Sequence, residues 1–381
     1  MKILLVYPSM THPSNAGNRC WLLSQVKLLK SMGHDVSLVA VYKPGFKKHN
    51  QIETELDLTS LYWGKKMFVF KEKLVDHILK KIILLFRKVF CNGMFKCDDM
   101  YPMGLSSYLN KINDIENFDI LIVNYYWLSK ALSKSKIPKK GIFTHDCFSF
   151  KNILGGKNAW MSTTPNEESK ALMRCEHIFA LQEEEKIFFK HLAPLSKVYN
   201  IFCSYQMHQT DVCGNHNIVF LSGNNQYNIN GLIWFIDEVF KKIKIKFEDA
   251  KLIIGGSICK HFHSDTPGID FLGYVEDPID LYKLGDIAIN PCYEGTGLKI
   301  KTFEAISYDK ITLVHPHSLV GIYKSTDAPL FSSANGNEWV SFISSIWTEN
   351  QQIIYQYKNR NRTYIRSLNS YILDTYSSFI D

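Results

Sequence analysis

A glycine-containing loop in the second half of the chain has the residue types most able to bind a ligand. A strand-like apolar run, Asp286–Asn290, ends just before it, and a helical pattern begins near Leu298. Between them stand Gly295, Thr296 and Gly297. Glycines let the backbone approach a ligand closely, and the N–H groups at a helix N-terminus attract anions. We therefore predict an anion-binding loop at the start of this helix.

Charged side chains on the same helix extend this prediction. Lys299 and Lys301 supply positive charge for a diphosphate, and Glu304 lies about two turns into the helix. A carboxylate in that place can accept hydrogen bonds from both hydroxyls of a ribose. One loop and one helix could thus hold the phosphates and the ribose of a nucleotide. The alternative is a surface glutamate and two lysines on exposed helix turns.

A second candidate group follows a strand-like run in the first half. Thr144, His145 and Asp146 come directly after Gly141–Phe143 and should lie at the carboxyl edge of a sheet. His145 or Asp146 could take a proton from an acceptor hydroxyl. The alternative is an aspartate that caps the following helix beside a buried, hydrogen-bonded histidine.

The elements around both groups alternate between short β-branched runs and helical patterns, which is typical of parallel α/β layers. The polar stretch 211–217 separates two such series. We therefore predict two Rossmann-like, doubly wound domains, residues 1–210 and 211–348, with a helical tail over 349–381. Ligands should bind at the carboxyl ends of the strands and in a cleft between the domains.

Composition agrees with a two-domain globular chain. The 381 residues are 46% hydrophobic and 21% charged, and the formal net charge is +7. This charge suits a nucleotide diphosphate, and no signature of a nucleic-acid-binding module is present. The nine scattered cysteines form no CxxC pair, which favours reduced thiols and a cytoplasmic protein. The sequence shows no zinc spacing, so we predict neither a metal nor a cofactor.

The segment 71–96 departs from the alternating pattern. It is apolar at helical spacing and carries seven lysines and arginines: Lys71, Lys73, Lys80, Lys81, Arg87, Lys88 and Lys96. A basic amphipathic helix can lie on an anionic membrane surface. The alternative is a helix that covers the sheet and holds its lysines on the solvated face.

The stretch from Asn290 to Ser307 resembles the donor-binding signature of GT-B glycosyltransferases, especially the retaining family 4. Glu304 and Ala305 match the second glutamate of that family's E-x7-E motif. This resemblance implies that Glu304 binds the nucleotide ribose. It also implies a GT-B fold, in which two Rossmann-like domains face each other across a cleft.

Other stretches share the resemblance. The residues after the first strand of the second domain, Gly223 and Asn224, resemble the opening loop of the donor domain. Tyr274 and Val275 lie in the family's segment near the nucleobase. In the first domain, Gly17, Asn18 and Arg19 match the loop that approaches the donor phosphate or the acceptor.

Two departures from the family pattern concern charge. The first glutamate of the E-x7-E motif should fall at Thr296, and threonine cannot replace a carboxylate. We expect Glu294, two residues earlier, to serve instead. The usual arginine and lysine after the first donor-domain strand are replaced by asparagines, including Asn224 and Asn230. Lys299 and Lys301, or Arg19, would then carry the diphosphate charge.

The resemblance implies transfer of a hexosyl group from a UDP- or GDP-linked sugar to a glycan or lipid-linked acceptor, with retention. The expected setting is bacterial surface polysaccharide or lipopolysaccharide assembly at the inner face of the cytoplasmic membrane. Two alternatives stay open: a nucleotide-sugar epimerase or synthase of the same fold, and a non-catalytic scaffold. A third possibility, a dinucleotide-binding oxidoreductase, is poorly supported because no GxGxxG directly follows the first strand of either domain.

Overall fold

A computed structural model describes residues 1–13, 17–42, 49–149, 151, 161–260, 262–295, 297–349 and 351–381. The chain divides into two compact units. Unit 1 comprises Met1–Ser204 and Thr375–Asp381, and unit 2 comprises Tyr205–Asp374. The sequence placed the boundary at residue 210. The last helix, Gln351–Ile380, contributes its final residues to unit 1 and the rest to unit 2.

Unit 1 is built on a seven-stranded parallel sheet. Its strands are β1 (Lys2–Tyr7), β2 (Asp35–Tyr42), β3 (Met67–Lys71), β5 (Ile120–Asn124), β6 (Lys139–Phe143), β8 (His177–Ala180) and β9 (Lys197–Asn200). They lie in the order β3-β2-β1-β5-β6-β8-β9. Two short strands, β4 (Met94–Phe95) and β7 (Ser162–Thr163), pair separately.

The central strands of this sheet are buried on both faces, as expected where helices cover a parallel sheet. In β1, the residues Ile3, Leu4, Leu5 and Val6 have no solvent exposure. The strand order changes direction between β1 and β5. The carboxyl ends of these strands are the place where ligands bind in open α/β sheets.

Seven helices of the described part of unit 1 flank these strands. They are α1 (Gly17–Ser31), α2 (His49–Trp63), α3 (Leu74–Phe90), α4 (Leu105–Glu116), α5 (Lys130–Lys134), α6 (Pro165–Leu172) and α7 (Glu183–Leu192). Among the described residues, no helix is both long enough and apolar enough to cross a membrane.

Unit 2 contains a six-stranded parallel sheet. Its strands are β10 (Asn217–Leu221), β11 (Lys251–Gly255), β12 (Ile269–Gly273), β13 (Ile287–Asn290), β14 (Ile311–Val314) and β15 (Leu330–Ser332). Their order is β12-β11-β10-β13-β14-β15, with the change of direction between β10 and β13. The two loops that the sequence singled out, after β10 and after β13, are therefore neighbours.

The helices of unit 2 are α8 (Gln226–Phe235), α9 (Lys241–Lys246), α10 (Ile279–Tyr282), α11 (Ile300–Ser307), α12 (Gly336–Glu349) and α13 (Gln351–Ile380). One π turn, Ile236–Phe240, joins α8 to α9. The core packs Trp339 of α12 against Phe235 and Trp234 of α8.

Helix α3 contradicts the interpretation in which its apolar residues cover the sheet. Leu74, Phe86 and Phe90 are 64%, 51% and 74% exposed, whereas Asp76 and Lys80 are buried. The polar face of α3 thus points into unit 1, and the apolar face points to solvent.

Candidate functional site

The loop between β13 and α11 needs its glycines. Gly295 and Gly297 have φ angles of +93° and +84°, in the left-handed region that favours glycine. A Cβ atom on Gly295 would also lie 2.8 Å from the ring of Tyr227. Leu298 follows the second glycine, and its carbonyl accepts the first N–H of α11. Thr296 lies outside the described residues, so its predicted role has no structural account.

A short 3-10 turn, Pro316–Leu319, supports this loop from the end of β14. The Nε2 atom of His317 donates a 2.7 Å hydrogen bond to the carbonyl of Gly295. The hydroxyl of Ser318 donates a 2.8 Å bond to the carbonyl of Cys292. The loop is thus fixed at two carbonyls. Sequence reasoning did not identify this turn.

The amine of Lys301 ties the start of α11 to the end of β10. Its Nζ donates to Asn228 Oδ1 at 2.7 Å and to Ser222 Oγ at 3.0 Å, and lies 5.0 Å from the ring centre of Phe220. Burial lowers the pKa of this lysine. The Lys301 amine therefore lies between the two loops from which ligand binding was predicted.

Glu304 is a half-buried carboxylate and differs from an ordinary surface glutamate. Its Oε1 accepts a 3.1 Å hydrogen bond from the hydroxyl of Tyr282. The Tyr282 ring stacks on Tyr308 at 4.7 Å, which fixes the hydroxyl in place. Burial raises the pKa of Glu304, while the Tyr282 bond and the charge of Lys301 lower it. The carboxylate is thus oriented by neighbours, as a binding group would be.

The other two charged residues of this stretch contact the loop or its neighbours. The Lys299 amine donates to the carbonyls of Gly295 at 3.2 Å and Gly297 at 3.3 Å. Glu294 Oε1 accepts a 2.5 Å bond from the side-chain amide of Asn230. Asn230 therefore holds the carboxylate that we expected to act in place of Thr296.

The loop after β10 has open space at its first glycine. A Cβ atom on Gly223 would meet no atom within 4 Å, and its carbonyl accepts from Asn228 Nδ2 at 2.8 Å. The backbone N–H of Asn224 donates to Ser257 Oγ at 2.9 Å. The Asn225 side chain caps α8 by accepting from the Asn228 N–H. The asparagines therefore order this loop.

The predicted nucleobase segment follows β12. Tyr274 is 76% exposed, and Val275 lies so close to the end of β11 that a Cβ on Gly255 would be 2.7 Å from its Cγ2. Gly273 has a φ of +73°, and its carbonyl accepts a 2.7 Å bond from the Gly256 N–H. The segment therefore packs against the same sheet edge, with the tyrosine ring turned to solvent.

In unit 1, His145 lies at the end of β6 with a φ of +65°. Asn124 Nδ2 donates to the Val6 carbonyl, so its Oδ1 accepts the 2.7 Å bond from His145 Nε2. The proton is therefore on Nε2, and Nδ1 carries the lone pair. Burial lowers the pKa of His145 to about 3, and its ring stacks on Tyr125 at 4.2 Å. The imidazole is neutral at physiological pH.

Asp146 forms an ion pair with Lys151. The next residue is held by a buried glutamate that sequence reasoning did not identify: Glu185 Oε1 accepts a 3.2 Å bond from the Cys147 N–H. Burial, followed by the charge of Asp146, raises the pKa of Glu185 to about 8. The sequence does not show which of the three consecutive glutamates 183–185 is buried.

A second buried glutamate holds the same loop. Glu168 accepts 2.9 Å bonds from the backbone N–H groups of Phe148 and Ser149. Burial raises its pKa, while these hydrogen bonds lower it. Together, Glu168 and Glu185 fix the chain directly after His145 and Asp146.

The sequence resemblance predicted that residues 17–19 approach the donor phosphate or the acceptor, and these residues begin α1. Gly17 is the first residue of this helix, and Asn18 Nδ2 donates a 2.8 Å bond to the Tyr125 hydroxyl. Arg19 forms a 3.3 Å ion pair with Glu55. Asn18 thus belongs to the group around His145, and the Arg19 guanidinium already has a carboxylate partner in unit 1.

Among the described residues, no group of three or more histidines, cysteines, aspartates or glutamates is arranged to hold a metal ion.

A family match now adds to this geometry. Residues 215–348 match the family model described as glycosyl transferases group 1. The matched range contains β10 to β15 and both loops at the Lys301 amine. Most of unit 2 therefore matches this family. The class of enzyme that the motif around Glu304 indicated is confirmed by this match.

Similar solved structures extend over both units. The crystal structure of TarM has a TM-score of 0.68 at 11% identity and covers 100% of this chain and 98% of its own. Anabaena Alr3699/HepE in complex with UDP has a TM-score of 0.64 at 14% identity, covering 99% and 100%. A glycosyltransferase from Rickettsia africae has a TM-score of 0.66 at 14% identity, covering 99% and 97%. The predicted GT-B fold is confirmed.

One relative is similar in sequence over most of the chain. It is described as an uncharacterized 44.6 kDa protein in the cps region of Klebsiella pneumoniae. The identity is 23% over an alignment of 332 positions, and the alignment covers 80% of each chain.

Proposed function

We propose that this chain moves a hexosyl group from a UDP- or GDP-linked sugar to a hydroxyl of a glycan or lipid-linked acceptor. The observation that carries the proposal is the arrangement of Glu304, Lys301 and the glycine loop within a group 1 glycosyltransferase domain. An oriented carboxylate, a partly buried amine and a loop that lets the backbone approach closely are the groups that a nucleotide diphosphate requires.

In this proposal, the Glu304 carboxylate accepts hydrogen bonds from the ribose hydroxyls. Lys301 and Lys299 neutralise charge on the diphosphate as it leaves, together with the N–H groups at the start of α11. Gly223 and Gly295 let the phosphates approach the backbone. Helix ends and amines can stabilise a leaving diphosphate without a metal, and metal independence is therefore part of the proposal.

The choice of nucleotide is supported by proteins of the same fold. HepE structures contain UDP and UDP-glucose, and one TarM structure contains UDP. These ligands belong to those proteins. They make the uridine nucleotide the first to test here, with the guanosine nucleotide as the second.

In unit 1, we assign the acceptor to the group around His145. The lone pair on Nδ1 can accept a hydrogen bond from a sugar hydroxyl. Asp146, which is paired with Lys151, then acts mainly by positioning. Glu294 is the carboxylate that we propose beside the transferred sugar in a retaining reaction, held there by Asn230.

The biological setting is proposed from the relative in the cps region of Klebsiella pneumoniae. A cps region suggests capsular polysaccharide, so we propose a role in bacterial surface polysaccharide biosynthesis, which includes lipopolysaccharide. A cytoplasmic position at the inner face of the membrane is part of the same proposal.

The test combines binding with turnover. Thermal denaturation of the purified protein with UDP, GDP, CMP, ADP and dTDP should give a stabilising shift with one nucleotide diphosphate. The matching nucleotide sugar should then release that nucleotide in the presence of a polysaccharide or lipid-linked acceptor fraction. Binding without turnover on any acceptor would favour the scaffold alternative, and no binding would reject the proposal.

A further inference from the structure

Helix α3 of unit 1 exposes a continuous apolar face. Nine of its side chains are 45% or more exposed: Leu74, Val75, Ile78, Leu79, Ile82, Leu85, Phe86, Val89 and Phe90. At about 100° per residue, these nine side chains fall within one arc of roughly 160°. Contiguous apolar patches of this kind mark interaction surfaces.

The opposite face of α3 is polar and anchored to unit 1. Lys80 forms a buried ion pair with Glu72 and lies 3.5 Å from Asp76. Arg87 pairs with Asp99 at 2.7 Å. These contacts determine which face points inward. The apolar face therefore stays exposed because the charged face has partners inside the unit.

The exposed charge of this segment is positive. Five lysines of residues 71–96 are exposed, namely Lys71, Lys73, Lys81, Lys88 and Lys96. The segment's nearby acids, Glu72 and Asp76, are buried beside Lys80. On the helix, Lys81 and Lys88 lie at one edge of the apolar arc, where their stems can follow the apolar surface while the amines reach phosphates.

The positive charge beside the apolar face of α3 distinguishes between a second copy of the chain and a lipid bilayer as its partner. Two copies of α3 placed face to face would bring their lysines together, which is unfavourable. A membrane-spanning position is unsuited to a 17-residue helix whose inner face carries Asp76 and Lys80. An anionic bilayer offers apolar depth beneath a negative surface, so both features of the helix are satisfied together.

We propose that α3 docks unit 1 on an anionic lipid bilayer, with the helix axis parallel to the membrane and the apolar arc at the boundary of headgroups and acyl chains. This inference adds the contacting surface to the membrane position proposed above, and it depends only on unit 1 and not on the nucleotide site. The surface would keep the enzyme beside lipid-linked acceptors.

The first test compares the full chain with a variant of the apolar face, Phe86→Ser with Phe90→Ser, whose rings lie 5.2 Å apart. Flotation with vesicles of phosphatidylcholine and phosphatidylglycerol measures binding. We expect the wild-type protein to float and the variant to bind roughly tenfold less or weaker. The control is Ile187→Ser with Leu195→Ser, two exposed apolar residues of unit 1 outside α3, which should bind like wild type.

The second test addresses the charge. Lys81→Ser with Lys88→Ser should reduce binding to the mixed vesicles and leave the weaker binding to pure phosphatidylcholine unchanged. Added salt should act in the same direction. The matched control is Lys190→Ser with Lys197→Ser, two exposed lysines elsewhere in unit 1.

The proposal is overturned if wild-type protein does not float, or if the α3 variant and its control float equally. It is also overturned if wild type is a dimer that Phe86→Ser with Phe90→Ser converts to a monomer without any vesicle binding. Nucleotide binding by all variants should equal that of wild type, so failure here is distinguishable from failure of the proposed function.

Discussion

The hydroxyl of Tyr282 donates a 3.1 Å hydrogen bond to one carboxylate oxygen of Glu304. The tyrosine comes from α10 and the glutamate from α11, so two elements separated by β13 fix one carboxylate. A carboxylate held at one oxygen loses less conformational freedom when a ribose binds the other. Preorganisation of this kind increases affinity.

Replacement of Lys301 by methionine should separate charge from packing. Methionine keeps an unbranched side chain of similar length but removes the amine, from which Asn228 and Ser222 accept hydrogen bonds and which lies 5.0 Å from the ring centre of Phe220. Two buried acceptors then lose a donor, and we expect a loss of stability of about 1–3 kcal/mol. We also expect a larger loss of affinity for the nucleoside diphosphate than for the monophosphate, measured by calorimetric titration. Lys246→Met, at an exposed position of α9, is the control. Equal losses for the two nucleotides would contradict a phosphate role.

Two glycines of unit 2 should respond differently to alanine. Gly231 lies in α8, and a Cβ there would be 2.8 Å from the carbonyl oxygen of Pro291, which is backbone and cannot move cheaply. Gly231→Ala should therefore destabilise the protein by about 1–3 kcal/mol. By contrast, a Cβ atom on Gly223 would meet no atom within 4 Å. Gly223→Ala should leave the melting temperature unchanged and weaken nucleotide binding, because the methyl group would occupy the space that we assign to phosphate. Unchanged binding would place the phosphates elsewhere.

The pH profile of the reaction tests the role of His145. Its pKa is lowered to about 3 by burial, so the ring is neutral from pH 5 to pH 8 and gains no proton in that range. His145→Gln should reduce kcat by roughly tenfold or more through loss of a positioned acceptor. The shape of the profile between pH 5 and pH 8 should not change. A limb near pH 6.5 that disappears in the variant would instead identify His145 as a titrating acid or base.

Glu185 should make unit 1 less stable at higher pH. Its pKa is raised from an ordinary 4.5 to about 8 in the folded protein, chiefly by burial. The folded state therefore favours the protonated carboxyl, and this contribution to stability is present below pH 4.5 and lost as pH rises toward 8. Each unit of pKa shift corresponds to about 1.4 kcal/mol.

Thermal denaturation of Glu185→Gln at pH 5 and pH 8 measures this effect. The variant loses one carboxylate oxygen as a hydrogen-bond acceptor at both pH values. The melting temperature of wild type should nevertheless fall relative to that of the variant as pH rises. Glu184→Gln, at the exposed neighbouring position, should show no such change. A constant difference between wild type and Glu185→Gln would show that Glu185 is ionised across this range.

Much of the fold was predictable from local sequence because central parallel strands are continuous apolar runs. The predicted runs Asp286–Asn290 and Gly141–Phe143 lie within a residue or two of the observed bounds of β13 and β6. The edge strands β3 and β15 were not predicted. Both are short and only partly buried, because each lies at an edge of its sheet.

The orientation of α3 could not be derived from its periodicity. The pattern correctly indicated an amphipathic helix, but either face can point inward. The choice depends on Lys80 meeting Glu72 and on Arg87 meeting Asp99, contacts that form only in the folded unit. In the site, the glycine loop and Glu304 were visible from residue types. The partner residues Tyr282 and His317 were not, because they come from separate elements.

The central claim is that Glu304 binds the ribose of a nucleotide diphosphate. Calorimetric titration of UDP and GDP into wild type, Glu304→Gln and Glu338→Gln tests it most directly, since Glu338 is an exposed glutamate of the same unit. We expect one nucleotide to bind wild type and Glu338→Gln equally. Glu304→Gln should bind it about ten- to a hundredfold more weakly, because a charge-assisted hydrogen bond contributes about 1.5–3 kcal/mol. Equal affinity for wild type and Glu304→Gln, or no binding of either nucleotide, would contradict the account.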